Sequence, residues 1–400
     1  MVDSKKSTPP GDLPFLLTLF TVLFLFSSTF SIAASQTALT ILFVLWLFYL
    51  TRGDVPRMAR TNIDLAVLLF LASIAIAVIF SSDRYGSIIH MKNITLIGVV
   101  YLIAFLLRGA KKLELYIGVL LASAGGSALY GIVGFLLGKG KGTLGRTPGS
   151  FSTAMTFGGV MMILCSVAFG LSLSIGISRR IRVIALISTV LTAVALFFSF
   201  TRSSWLGMVT SGVLIVLLAR KKLIFPFAAV LVLLLIIMPR PYRERAYSIF
   251  DPHYRTNVQR IELWKGGWAI FKDHPVTGVG TTDLAKIYER YKPPEAKFVF
   301  GHMHNDFLQI AVTMGLIGLA AFLFLLFSFY RVMVGNLLAL PPPLERAVVV
   351  SSIGALSGFI VNGLFEWNFG DSEVVTLLYI LVGFNVAFYL KRTEGNSSSI

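Results

Sequence analysis

Apolar runs about as long as a bilayer is thick recur along most of this 400-residue chain. No other feature limits its fold so strongly. A helix needs about 20 mostly apolar residues to cross the hydrocarbon core, where backbone donors and acceptors must be satisfied within the span. Twelve runs read as spans: 13–33, 37–51, 64–80, 93–108, 113–137, 152–175, 182–200, 203–219, 222–239, 305–331, 346–366 and 372–390. The expected fold is therefore an all-α polytopic membrane protein of about twelve transmembrane helices. Composition agrees, since 56% of residues are hydrophobic and only 14% charged, which excludes an ordinary soluble domain. The single Cys165 lies within an apolar run, which rules out a disulfide framework, a CxxC redox pair and a thiolate zinc site.

The net charge of +16 must sit in the connections, which points to membrane lipids rather than nucleic acid as its surroundings. Lys and Arg in short loops mark the cytoplasmic side. Every second connection is basic, from Lys5 and Lys6 through Arg52, Arg57 and Arg60, then Arg108, Lys111 and Lys112, to Lys391 and Arg392 in the tail, and these alternate connections hold 18 of the 35 basic residues. Both termini are accordingly expected in the cytoplasm, with the long loop outside. The chain divides into spans one to nine (1–239), a long external loop (240–304), spans ten to twelve (305–390) and a tail (391–400). Ala33, Ala34 and Ser35 would suit a signal-peptidase site, but the apolar run before them is longer than a usual signal core. The tail from Gly395, with three consecutive serines, reads as disordered.

Ionisable residues inside a bilayer mark ion or substrate paths, and this chain has almost none at mid-span. Asp306, Glu366, Asp371 and Glu373 instead fall at the external ends of spans, and four of the five histidines (His253, His274, His302 and His304) lie in or just after the external loop. Basic residues also collect there against the usual charge rule. Such a face suits an anionic lipid headgroup or diphosphate, which Arg contacts through paired donors. Within the loop, Ile261, Trp264, Trp268 and Phe271 recur at helical spacing and predict an interfacial amphipathic helix. Pro275 and Gly278-Val-Gly280 end it, and Thr281, Thr282 and Asp283 can cap a second short helix that Pro293 and Pro294 stop. His302 and His304 invite a metal reading, but positions two apart on a helix do not face one another, and no second ligand set is evident. No metal and no cofactor is expected. One positioned imidazole is better suited to general-base work.

Three stretches carry a resemblance. His302-Met-His304-Asn305-x-x-Leu308-Gln309 followed by Gly315-Leu-Ile-Gly318, Ser199-Phe-Thr-Arg202-Ser-Ser-Trp-Leu206-Gly207, and Arg260-x-x-x-Trp264 continuing to Gly278-Val-Gly280 together resemble the signature of the O-antigen ligase and polymerase superfamily. The resemblance covers roughly residues 185–325. One departure stands out: the family often has Glu shortly before the glycine at Gly315, where this chain has Thr313 and Met314.

The resemblance implies a GT-C-like glycosyltransferase of the Gram-negative inner membrane with a periplasmic active site. Its donor would be a glycan on undecaprenyl diphosphate, and the acceptor of a ligase would be the lipid A core. On that reading His304 is the general base of a direct, inverting displacement, while Arg202 and Arg260 hold the diphosphate without a metal. Arg146, Lys141 and Arg84 are further candidates for the same anion, and His302 and Asn305 for orienting the base or the acceptor. An O-antigen polymerase would share all three motifs. A protein O-oligosaccharyltransferase commonly carries an extra C-terminal periplasmic domain, which the short tail disfavours. A lipid-linked glycan transporter would need a polar path through the spans.

Overall fold

The computed structural model describes residues 13–51, 60–90, 96–107, 112–140, 145–339 and 343–397. The orienting residues Lys5, Lys6, Arg52, Arg57, Arg108 and Lys111, and the candidate Lys141, lie outside them. The described chain is helical, with no strands. The first half comprises α1 (Leu13–Ser27), α2 (Ile32–Thr51), α3 (Asp64–Phe80), the short α4 (Arg84–His90), α5 (Gly98–Leu107), α6 (Leu113–Leu136), α7 (Ala154–Leu173) and α8 (Arg179–Phe198). There follow α9 (Arg202–Arg220), α10 (Ile224–Ile237), α11 (Arg240–Tyr247), α12 (Arg255–Asp273), α13 (Ala285–Tyr291), α14 (Asp306–Ala339), α15 (Leu344–Gly363) and α16 (Ser372–Ser397).

Each of the twelve expected spans contains a helix, but fewer are long and apolar enough to cross a membrane. Seven described helices pass that test (α2, α6, α7, α8, α14, α15 and α16), or eight if the bent pair 202–237 and 240–247, which turns through 118°, counts as one span. The expected spans at 13–33, 64–80 and 93–108 hold only the shorter apolar helices α1, α3 and α5. α1 stops early because Ser27, Ser28 and Thr29 turn their hydroxyls back onto the carbonyls of Leu23, Leu25 and Phe26. The tail expected to be disordered from Gly395 is helical as far as Ser397.

The core is built on α7, α15 and α16. Hydrophobicity does not drive helix association in lipid, so small residues and close backbone approach must. The α9–α15 seam shows this: a Cβ at Gly207 would lie 2.6 Å from the Gly358 carbonyl oxygen, and one at Gly358 would lie 2.7 Å from that of Gly207. The periphery is apolar and exposed, as at Leu68, Leu186, Phe225 and Ile236, which is the surface a bilayer covers. No residue of α10 is buried.

α14 is broken at Gly315, whose φ of 63° and ψ of −162° interrupt the helix. The loop after α12 fills the break. Val279 and Gly280 donate their backbone N–H groups to Val312 and Thr313, while Leu316 and Ile317 donate theirs to Pro275 and Val276. Backbone groups freed by the kink are thus paired again, as burial requires. A Cβ at Gly315 would collide with the Val276 carbonyl, and one at Gly278 with Thr313 and Met314. The glycines of this region are there because two backbones meet.

The interfacial helix is longer than the sequence suggests, and its buried face is displaced. Leu263, Gly266, Gly267 and Ile270 are buried, whereas Trp268 is 54% exposed and Ile261 38%. The two glycines explain the rotation, since they bring α12 against Tyr288, Met303 and Leu308. The second short helix forms as expected, with Asp283 accepting from the Ala285 N–H at its start.

Candidate active site

At one end of the bundle, the segment leading into α7, the α8–α9 turn, α11, the first half of α12 and the segment before α14 enclose a cavity of ≈ 200 Å³. Arg146, Arg202, Arg245, Arg260 and His304 all line it. His304 has a φ of 45°, a conformation uncommon outside glycine. Its neighbours hold it there. The Met303 N–H donates to Gln309 Oε1 at 2.8 Å, and the Met303 carbonyl accepts from Trp264 Nε1 at 2.9 Å. Asn305 Oδ1 accepts from the Leu308 N–H at 2.9 Å, capping α14, while its Nδ2 donates to the Leu364 carbonyl at 2.8 Å. Asn305 is thus a brace for this segment.

The imidazole of His304 meets Glu366, which follows α15. Nδ1 lies 2.6 Å from Glu366 Oε1, and the two side chains are only 14% and 10% exposed. A carboxylate accepts, so Nδ1 carries a proton, and in the neutral ring Nε2 keeps its lone pair. Arg260 Nη2 lies 3.5 Å from the other carboxylate oxygen. Burial alone would raise the Glu366 carboxyl, but the His304 hydrogen bond and the Arg260 charge hold it below the ordinary carboxylate range. Burial, partly offset by Glu366, lowers the Arg260 guanidinium.

His302 and His304 do not lie on a helix, because α14 begins only at Asp306. Their rings are 4.2 Å apart, and the ligand atoms of His302, His304 and Glu366 all fall within 4.8 Å of one another. Helical spacing, the sequence's objection to a shared metal, therefore does not apply to this pair. The charge around the trio is the better guide: four guanidiniums line the adjoining cavity, a costly setting for a divalent cation. Burial and the neighbouring His304 push the His302 imidazole down to about 4.

Arg202 opens α9 and is buried. Its Nη1 donates to the Ser248 carbonyl at 2.7 Å and hydroxyl at 2.8 Å, and its Nη2 to Thr256 Oγ1 and Asn257 Oδ1, both at 2.7 Å. Arg146 donates through Nε to the Ser199 carbonyl and through Nη2 to Thr201 Oγ1. Arg84 donates to the Ile79 carbonyl and is not part of the cavity lining.

Residues 187–323 match the model of a family described as O-antigen ligase. Over that segment, about a third of the chain, the protein is similar to the O-antigen ligase family. No curated protein matches it. The matched family segment holds Arg202, Arg245, Arg260, His302, His304 and Asn305, but Arg146 and Glu366 lie outside it. In the sequence Glu366 is visible as an acid at a span end, with nothing to join it to His304, 62 residues away. Arg245 is lost there among the loop's many basic residues. Beyond the arginines and His304, the cavity is lined by the polar Thr201, Ser203, Thr256 and Gln259 and the apolar Met155, Leu263 and Phe300. A second cavity of ≈ 350 Å³ shares Arg202 and Arg260 with it and is largely apolar, with Leu206, Ile249, Phe250, Trp264 and Phe365 in its walls.

Proposed function

We propose that the protein is an O-antigen ligase, transferring glycan from undecaprenyl diphosphate to the lipid A core at the periplasmic face of a Gram-negative inner membrane. The observation that carries the reading is the His304–Glu366 pair opening onto a cavity lined by four arginines. Glu366 fixes the imidazole tautomer and supports the imidazolium that forms during reaction, as the carboxylate does in a serine hydrolase triad. Nε2 of His304 takes the proton of the acceptor hydroxyl. The hydroxyl oxygen bonds to the anomeric carbon as the bond from that carbon to the phosphate oxygen breaks, which inverts the configuration. The departing diphosphate takes the electron pair, and fixed guanidiniums stabilise the charge that develops on it.

Proximity of donor and acceptor supplies much of the remaining acceleration. The largely apolar second cavity, sharing two arginines with the first, suits the lipid portion of a substrate whose anionic part sits among the guanidiniums. The same arginines favour a mechanism without a metal ion, because they already provide the positive charge a metal would bring. Residues 240–304 would then face the periplasm as a loop between two groups of GT-C-like spans.

The test uses purified protein in nanodiscs with undecaprenyl-diphosphate-linked glycan, lipid A core and EDTA, reading products by gel shift. Transfer to lipid A core that disappears in His304→Ala is the expected result. Elongation of the undecaprenyl-linked glycan alone would identify the polymerase of the same superfamily, and no transfer to either acceptor would sink the enzyme reading.

A further inference from the structure

Resting on the reading above, we infer that Asp306 is a positioning residue, which anchors the turn that carries Glu366 and so holds that carboxylate against the base. His304, Asn305 and Asp306 are successive residues, and each bonds to the segment that follows α15. His304 Nδ1 lies 2.6 Å from Glu366 Oε1, Asn305 Nδ2 donates to the Leu364 carbonyl at 2.8 Å, and Asp306 Oδ1 accepts from the Phe369 N–H at 3.1 Å. Leu364 and Phe369 stand on either side of Glu366. The contact between base and carboxylate is thus bracketed by two further ties from the same stretch of chain.

An acid in the first turn of a helix commonly serves that helix's own end. Asp306 is not needed there. Asn305 already caps α14, its Oδ1 accepting from the Leu308 N–H at 2.9 Å. The Asp306 side chain leaves the helix for the Phe369 N–H, although it is only 1% exposed. Burying a polar group is costly unless it is bonded, and the bond this one makes is to the turn. Its other oxygen lies against the end of α15, where a Cβ at Gly363 would collide with it. The side chain fills the space between the start of one helix and the end of another.

Glu366 brings little anchoring of its own. Its Oε2 has no hydrogen-bond partner among the described residues, and Arg260 Nη2 stands 3.5 Å away. The Trp367 N–H folds back onto Glu366 Oε1 at 3.3 Å, whereas the Phe369 N–H goes to Asp306. Asp306 therefore joins this turn's backbone to the start of α14. Beyond it the turn is fixed in the bundle: the Phe369 ring is fully buried, with its centre 5.6 Å from that of Phe70 on α3 and 4.8 Å from that of Phe322 on α14. Thr156 Oγ1 also donates to Asp371 Oδ2 at 2.7 Å. Asp306 connects that fixed point to the residues around His304. Misplacing a reacting group by about 1 Å can cost about 100-fold in rate, so such a tie bears on turnover as well as on stability.

The test reads the hydrogen bond itself, by proton NMR of the full-length protein carrying isotope-labelled histidine in detergent, beside initial-rate glycan transfer in nanodiscs and melting temperature as the fold control. An imidazole proton held by a carboxylate at this distance resonates far downfield, and His304→Gln assigns the signal by removing it. In Asp306→Ala the His304 Nδ1 proton should move upfield or broaden, and the maximal rate should fall at least tenfold while KM for the donor stays within about threefold. Asp306→Asn keeps an oxygen that can accept from the Phe369 N–H, and should return both signal and rate to within about threefold of wild type. Should Asp306→Ala fail to fold, Asp306→Ser, whose shorter side chain cannot reach the Phe369 N–H, is judged by the same criteria. An unmoved signal or an unchanged rate in the folded variant overturns the inference even if the melting temperature falls, because a purely structural brace would lower melting and leave the pair intact. So does an Asp306→Asn protein as impaired as Asp306→Ala. Because the signal is read without substrate, a wild-type protein whose Nδ1 proton depends on Asp306 yet transfers no glycan would sink the ligase reading and leave the positioning of the imidazole standing. Transfer by the wild type with the signal indifferent to Asp306 would do the reverse.

Discussion

Replacing Glu366 with Gln keeps the shape of the side chain and removes its charge. In the native protein the carboxylate accepts from His304 Nδ1 at 2.6 Å and faces Arg260 at 3.5 Å. A hydrogen bond to a charged group contributes about 1.5–3 kcal/mol. If that stabilisation is felt as the imidazole becomes imidazolium, its loss costs roughly 10-fold to 150-fold in turnover, at about 1.4 kcal/mol per decade. A glutamine amide can also donate to Nδ1, which would move the ring proton to Nε2 and remove the base outright. Serine hydrolases that lose the equivalent carboxylate to its amide fall by about 10⁴ through that tautomer change. The expected loss therefore lies between about 10-fold and 10⁴-fold, with substrate KM changed little. Glu366→Asp, one methylene shorter, should fall between wild type and Gln. The assay is initial-rate glycan transfer in nanodiscs, normalised to folded protein. A Glu366→Gln enzyme within about threefold of wild type, alongside an inactive His304→Ala, would refute the claim that the carboxylate sets the state of the base.

The braces and the second histidine can be probed in the same way. Gly315→Ala places a Cβ against the Val276 carbonyl at a positive φ and should destabilise the protein by about 1–3 kcal/mol, read as a lower melting temperature in detergent. Asn305→Ala removes the cap on α14 and the tie to Leu364, so about 1 kcal/mol of stability should go together with much of the turnover, and unchanged kinetics would show that the brace does not position His304. His302 bears on pH dependence. Its folded imidazole titrates near 4 against an ordinary 6.5, so the unfolded chain binds the extra proton first. Its contribution to stability is present above about pH 6.5 and is lost as pH falls through about 4. His302→Gln should therefore flatten the fall in melting temperature between those two values, and an unaltered profile would rule out His302 as a source of that acid sensitivity.

What the sequence made legible was whatever a local pattern can carry. Hydropathy located a helix in each expected span, and proline, glycine and an Asp cap bounded the two loop helices. The motif residues also proved meaningful as a set, since Trp264, Asn305 and Gln309 converge to hold the backbone on either side of His304. Hydropathy is weaker at telling a crossing from a partial one, so α1, α3 and α5 were indistinguishable in advance from full spans. Nor does it register a break such as Gly315, whose freed backbone groups are paired by the loop that follows α12. Partnerships across the fold were the least legible, because Glu366 reaches His304 from beyond the end of a different helix.

Those distant partnerships also explain why the site could not be read as a list of charged residues. Arg202, the most conspicuous cation of the α8–α9 turn, is saturated with protein acceptors, while Arg146, one of several loop cations offered as candidates, and Arg245, which nothing in the sequence sets apart, keep donors free. A charge that ties two segments together and a charge that awaits a ligand look identical in sequence, and only the count of acceptors around each separates them. The same logic applies to the backbone. The non-glycine residues with positive φ among those described are Phe200 and His304, one in the turn that Arg146 and Arg245 grip and the other bearing the imidazole. Uncommon conformations persist where surrounding bonds over-determine them. Here the stacking of Tyr242 on Phe200 at 4.0 Å and the braces around Met303 do so, and both lie beside the cavity. Cation-bearing turn and base are therefore held independently of each other, so that a substrate spanning both would meet a rigid frame rather than have to assemble one.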